Sequence, residues 1–308
     1  MFAFLWAGVE PWVYDNTAAL LIYRCIKWIA RVFLGTFEIQ RLLQGSSSAS
    51  PLLVVKIDRA IRHSHSLRFV REELTGESAD VRQLAVALVL AKQARVPVSE
   101  ASLRLLEECL VQIQAVERLK VALEALRSTR VSTTDPDHVS LLNDVWSGIF
   151  PNEPVPPLVS REWQRIGFQG DDPSTDFRGM GLLALTQLAF LSRTYPALAA
   201  SLVRASNGDG NVASGRWFPY AITGVNLTKF VLDGVTSRQM YPQLFARGPS
   251  LVALNAAYTF AFTRLGNEWE RDTQVRITSW PPFYKRVCAA VHGDLCSTAL
   301  LTPPQIEA

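Results

Sequence analysis

Between Gly167 and Gly181 the chain gathers four glycines (Gly167, Gly170, Gly179, Gly181), three aspartates (Asp171, Asp172, Asp176) and a single arginine, Arg178, just before a strongly apolar run. Glycines permit backbone shapes that other residues resist, and Asp172-Pro173 favours a turn. A loop so built can be held rigid and can present one side chain. Two chemistries fit these residue types. In the first, Arg178 pairs with Asp172 or Asp176, ties down the turn, and leaves Trp163, Ile166 and Phe168 to bury under the next helix. In the second, Arg178 donates positive charge to the active site of another protein. Paired structural arginines are common, so residue types alone favour the first. Exposure separates the two, because burial of Arg178 in ion pairs with both aspartates fits only the structural role.

Other chemistries find no support. No GxxxxGK[ST] occurs, so the chain does not hold a nucleoside triphosphate by a P-loop. Gly179 to Ala184 satisfies the looser GxGxxA pattern, but a dinucleotide turn must follow a buried strand, with an acidic residue about 20 positions on, and neither is read here. His63, His65, His138 and His292 make no HExxH helix, and His63 and His65 would fall on different helix faces. The spacing of Cys25, Cys109, Cys288 and Cys296 suits neither a zinc ribbon nor a dense disulfide framework. They read as buried thiols in a reducing compartment, and neither a metal site nor a bound cofactor is expected. Asn226-Leu227-Thr228 has the form of a glycosylation acceptor, which has meaning only in a secreted chain.

The elements that must position this loop read as helices. With 308 residues and 48% hydrophobic content the chain can bury one large core or two intimately packed lobes. Charged residues make up 19% and the net charge is +3, which gives no basic excess pointing to nucleic acid. Helical spacing of apolar residues appears at 52–74 and 79–95, split by Thr75-Gly76-Glu77-Ser78. It appears again at 100–127, with Ser99 as N-cap, and at 138–149. Prolines 151, 154, 156 and 157 precede the loop. A core helix is predicted over 182–204, with further helices at 219–234, 250–270 and 280–292. No sustained apolar–polar alternation bounded by hairpin turns appears, so the fold class is all-α: a multi-helix globule with long irregular loops and no substantial sheet. The expected division is an amino-terminal helical region over 1–130, a second domain over 131–300 and a frayed tail over 301–308.

Residues 18–34, AALLIYRCIKWIARVFL, need separate treatment. Arg24, Lys27 and Arg31 form one stripe of a helix, and burying them in hydrocarbon would cost several kcal/mol or so each. A membrane span is therefore not expected. One reading lays this basic helix on an anionic membrane, with Trp6, Trp12 and Trp28 as interfacial anchors. The other, favoured because Trp is also a common packing residue, packs it on the protein with its basic edge in water.

The segment from Trp163 to Leu183 resembles the ELMO-domain family closely. It matches W-x-x-I-G-F-Q-G-x-D-P-x-T-D-F-R-G-x-G-x-L at every fixed position. FPYAITGVNLTKF at 218–230 and GTFEIQRLLQG near the start are similar to other family segments. The resemblance weakens across 45–130 and after 265. It implies a GTPase-activating protein for Arf or Arf-like GTPases, acting on GTP and magnesium held by the partner and performing no turnover of its own. It puts the required arginine on Arg178, and so gives a reason to prefer the second chemistry. Asp172 and Asp176 would then aim or shield Arg178, Gly179 and Gly181 would let a partner approach, and Trp163, Gln169 and Asn226 would support the loop or touch the partner. The same domain occurs in larger ELMO scaffolds that bind Dock-type exchange factors and act on Rac, which is the alternative reading. A third is a non-catalytic, membrane-associated helical protein. The expected location is cytoplasmic, with peripheral contact to an intracellular membrane if the basic helix binds lipid.

Overall fold

A computed structural model describes residues 16–76, 79–93, 95–208, 210, 212–297, 299 and 301, and no strand occurs among them. The described chain forms two compact units that divide between Gln114 and Ala115. That division falls inside a long helix, upstream of the boundary at 130 read from the sequence.

The first unit holds α1 (Thr17–Leu34), α2 (Glu38–Gln44), α3 (Pro51–Arg62), α4 (Arg68–Leu74), α5 (Val81–Ala91) and the start of α6 (Glu100–Ser128). Local chemistry sets these boundaries. The Ser50 hydroxyl accepts from Leu53 N–H (3.3 Å) and Pro51 opens α3, a residue whose missing N–H costs nothing there. Asp80 caps α5 through Arg82 and Gln83 N–H groups (3.0 and 3.1 Å). The run predicted as one helix over 52–74 breaks at His63. Ser64 is extended (φ −102°, ψ 118°), and the hydroxyls of Ser64 and Ser66 bond each other and Lys92 instead of supporting a helix. Ile39, Leu43, Val54, Ile57, Leu67, Val70 and Leu88 form the core of this unit. Helix α2 was not anticipated from the sequence.

Helix α1 packs in an unexpected orientation. Its Tyr23 and Ala30 are buried, Lys27 Nζ meets Glu38 Oε2 at 2.9 Å, Tyr23 O–H donates to Glu38, and Arg31 Nη2 donates to the Lys92 carbonyl (2.9 Å). Of the basic edge, which was expected to face water, Lys27 is half-buried against Glu38, while Arg24 and Arg31 stay exposed. The apolar face is exposed as well. Gly35, at φ +65°, ends the helix. No helix among the described residues is long and apolar enough to cross a membrane. Trp6 and Trp12 lie outside the described residues.

In the second unit the rest of α6 is followed by α7 (Pro136–Ile149), α8 (Gly181–Thr194), α9 (Pro196–Asn207), α10 (Tyr220–Thr236), α11 (Tyr241–Arg247), α12 (Leu251–Arg271) and α13 (Trp280–Leu295). Helix α8 is central. It packs against α7, α9, α10 and α12, and buries Leu183, Leu185, Leu188 and Leu191 as well as Gln187, which bonds Asn255 (3.4 Å). The helix predicted over 182–204 is two helices, because Pro196 has no N–H to donate and Tyr195 before it leaves the helical region (φ −133°, ψ 60°). The cysteines depart from the sequence reading. Cys109 is buried, Cys288 is half-buried, and Cys25 and Cys296 are exposed.

Helices α7 and α8 approach so closely that a Cβ on Gly148 would collide with the Ser192 carbonyl. Gly148→Ala is therefore expected to lower stability by about 1–3 kcal/mol. The check is a lower urea midpoint at unchanged m-value.

Candidate functional site

The loop from Ser160 to Gly181 is built on a buried aromatic floor. Trp163 and Ile166 sit in a 3-10 turn, Arg161–Ile166, and both are fully buried. The Trp163 ring meets Trp146 of α7 and Phe168 edge-on at centroid distances of 5.5 and 5.9 Å, and Phe168 meets Phe177 at 5.8 Å. Trp163 Nε1 donates to the Pro157 carbonyl (3.0 Å), so its polar atom is satisfied as it is buried. Gly167 then turns the chain at φ +88°, and a Cβ there would collide with the backbone N of Tyr220 at the start of α10.

Backbone polar groups fix the upper part of the loop. Ser160 N–H donates to the Asp171 carbonyl (2.8 Å), and Gln164 Nε2 donates to the Asp171 carboxylate (2.9 Å). The Asp172 carboxylate accepts from Ser174 N–H (2.9 Å) and caps a second 3-10 turn, Pro173–Phe177. Asp176 Oδ2 accepts from Gln169 N–H (2.8 Å). Both aspartates are thus occupied by the loop's own backbone.

Arg178 follows this second turn. It is exposed, in ordinary αR backbone (φ −54°, ψ −31°), and no hydrogen bond or ion pair holds its guanidinium among the described residues. It lies near enough to Asp176 for its charge to favour the carboxylate there. The ion pairs required by the first chemistry are absent.

The end of the loop is anchored on α6. Gly181, at φ +53°, is buried, and a Cβ would collide with the carbonyl oxygens of Arg127 and Thr129. Leu182 N–H donates to the Thr129 carbonyl (2.9 Å). Between this junction and the loop runs a groove of about 360 Å³, lined by Arg127, Arg130, Ser174, Thr175 and Arg178 among others, with no acidic residue on its walls. Arg127 is clamped by Glu124 at 2.6 and 2.8 Å. Arg130 is exposed, with no partner among the described residues. The sequence reading missed both, since nothing in Arg-Ser-Thr-Arg at a helix end signals a loop some fifty residues on.

The remaining candidates fall into two groups. Trp163, Asp172, Asp176 and Gly181 are structural parts of the loop. Gly179 is exposed, with nothing near its missing Cβ, and the Gln169 side chain is exposed. Asn226 lies in the second turn of α10, exposed, with no hydrogen bond to the loop among the described residues. Thr228, which would complete a glycosylation acceptor, is buried and bonds the Gly224 carbonyl (3.1 Å). Gly179 to Ala184 follows a 3-10 turn rather than a strand, so the dinucleotide pattern there is accidental.

The fold and site define an all-helical protein whose irregular, aromatic-floored loop presents one unpaired arginine. Residues 121–280, just over half of the chain, match the sequence model of the ELMO/CED-12 family, and the chain belongs to that family. It is 28% identical over 246 residues to ELMO domain-containing protein B of Dictyostelium discoideum, covering 79% of this chain and 84% of that one. It is 28% identical over 240 residues to human ELMO domain-containing protein 2 (76% and 78% covered) and 25% identical over 254 residues to human ELMO domain-containing protein 1 (76% and 75% covered). No solved structure matches the chain.

Asp176 gives this loop a measurable pH signature. Burial raises its pKa above the ordinary aspartate value, while the Gln169 N–H and the Arg178 charge oppose the shift. A carboxyl whose folded pKa is raised adds stability below its unfolded pKa and loses that contribution as pH rises through the folded pKa. Asp176→Asn keeps an oxygen for Gln169 N–H and cannot ionise. Urea midpoints of this variant should therefore decline less than those of the parent as pH rises from the ordinary aspartate range to just above it.

Proposed function

We propose that this protein stimulates GTP hydrolysis on an Arf or Arf-like GTPase, with Arg178 entering the partner's active site in trans. The supporting observation is that Arg178 is exposed and unpaired on a loop whose every neighbouring aspartate is already bonded elsewhere. A structural arginine would be expected to hold one of them.

The chemistry needs little else from this chain. As the bond to the γ-phosphoryl group breaks, negative charge spreads over the transferring group and the leaving oxygen. A guanidinium stays charged at any physiological pH, and its planar fork meets two oxygens at once. Placed against those oxygens in a site that excludes water, it lowers the barrier electrostatically. GTP and magnesium come with the partner. A loop already fixed by its aromatic floor and capped turns loses little freedom on docking, which keeps the interaction energy available for the transition state. Arg130, on the same groove, widens the positive surface offered to acidic groups or phosphate oxygens of the GTPase, and Gln169 adds an uncommitted amide.

Arg178→Ala and Arg178→Lys should leave stability within about 0.5 kcal/mol of the parent, since no contact is lost. Stimulated single-turnover GTP hydrolysis, measured across a panel of Arf and Arf-like proteins, should fall by about 10³-fold or more in both, because an ammonium does not reproduce the fork. Retained stimulation by either variant excludes the mechanism.

A further inference from the structure

We infer that the outward face of α1 and the cationic groove beside it form a docking site for an anionic phospholipid surface. The site belongs to the first unit and is independent of Arg178.

The apolar part is a continuous helix face. Leu21, Ile22, Ile26, Ile29, Val32 and Phe33 are all exposed, Phe33 at 82% and Ile22 at 62%. At 100° per residue they share an arc of about 140° on a helix about 27 Å long. Such a contiguous exposed patch marks an interaction surface rather than ordinary scatter. Trp28, 66% exposed, stands at the edge of this arc next to the basic stripe, the position an interfacial indole takes.

The polar part settles what the face meets. Beside α1 lies a groove of about 560 Å³ whose walls carry Arg24, Lys27, Arg31, His63, His65 and Lys92, while Glu38 is the single carboxylate among its lining residues. Lys27 answers Glu38, and no second carboxylate lines the groove to meet Arg24, Arg31 or Lys92. Lys92 is held by the hydroxyls of Ser64 (2.5 Å) and Ser66 (3.0 Å). Its pKa is pulled down to about 8 by burial and by the nearby charges of Lys27 and Arg31. A phosphate group seated there would relieve that repulsion. A second copy of this chain would bring its own cations to the groove, and a neutral apolar partner would leave the groove unanswered. Anionic headgroups at the level of the groove, with acyl chains against the Ile29–Phe33 side, satisfy both parts together. This takes up the membrane-surface reading of the sequence: the apolar ridge enters the lipid, and the basic stripe becomes the wall of a headgroup site.

The test is co-sedimentation of the full chain with vesicles of phosphatidylcholine alone and of phosphatidylcholine with phosphatidylserine. The protein should pellet with the mixed vesicles at least about tenfold more than with the neutral ones. Ile29→Glu/Phe33→Glu and, separately, Arg24→Gln/Lys92→Gln should each reduce that binding by about tenfold or more at unchanged helical circular dichroism. Arg24 and Phe33 are exposed, so Arg24→Gln and Phe33→Glu alone provide folded variants if a double change unfolds. Inorganic phosphate at buffer concentrations should not displace the protein. Equal binding to neutral vesicles, or indifference to the substitutions, overturns the proposal. So does no pelleting, whether the protein instead forms a dimer that Phe33→Glu dissociates, covers the face with residues 1–15, or binds inorganic phosphate alone.

Discussion

The constraint on which the second unit depends is the contact of Gly181 with the end of α6. The first residue of the central helix lies at a positive φ with its α-carbon against the carbonyls of Arg127 and Thr129, where no side chain fits, and the next N–H bonds Thr129. Helices α7, α9, α10 and α12 all pack on α8, so this junction fixes where the core begins relative to the end of α6. It also fixes the end of the loop that carries Arg178. The groove with its three arginines exists because these two segments are held together at that point.

An unpaired arginine next to three aspartates needs a physical explanation, because in isolation they would pair. The explanation is competition by the backbone. Asp172 caps a 3-10 turn, Asp176 accepts from Gln169 N–H, and Asp171 accepts from Gln164. Each of these bonds satisfies a donor that the irregular chain would otherwise leave open. The carboxylates thus hold the loop's shape, and the guanidinium remains available. Asp176 still adds a nearby negative charge, so Arg178 is electrostatically biased without being bonded.

Much of this was legible in the residues. Periodicity located α6, α7, α10, α12 and α13, since long amphipathic helices with cap residues leave a strong signal. It merged α8 with α9 because the apolar runs on either side of Ser192–Pro196 lie close together, and a single proline was outweighed by its neighbours. The seven-residue helices α2 and α11 are too short to show a period. The glycine and aspartate content of 167–181 marked the loop, and the resemblance singled out Arg178. What no residue type could reveal was which groups the aspartates bind, or that Arg130 lies across the groove. Helix α1 was misread for a related reason. Its stripe of three cations suggested a solvated edge, whereas Glu38 on the next helix holds Lys27 half-buried, the distant Lys92 carbonyl takes a bond from Arg31, and the apolar residues are left outside.

The central claim is that Arg178 acts on the transition state rather than on the ground state of a bound GTPase. The direct measurement is affinity for an Arf-like partner carrying GDP with aluminium fluoride, which mimics the transferring phosphoryl group, compared with the same partner carrying GDP alone. Aluminium fluoride is expected to tighten binding of the parent protein by about tenfold or more and to leave binding of Arg178→Ala unchanged. Equal tightening in the variant would show that the loop binds the partner without its arginine reaching the reacting atoms, and would exclude a trans-acting Arg178.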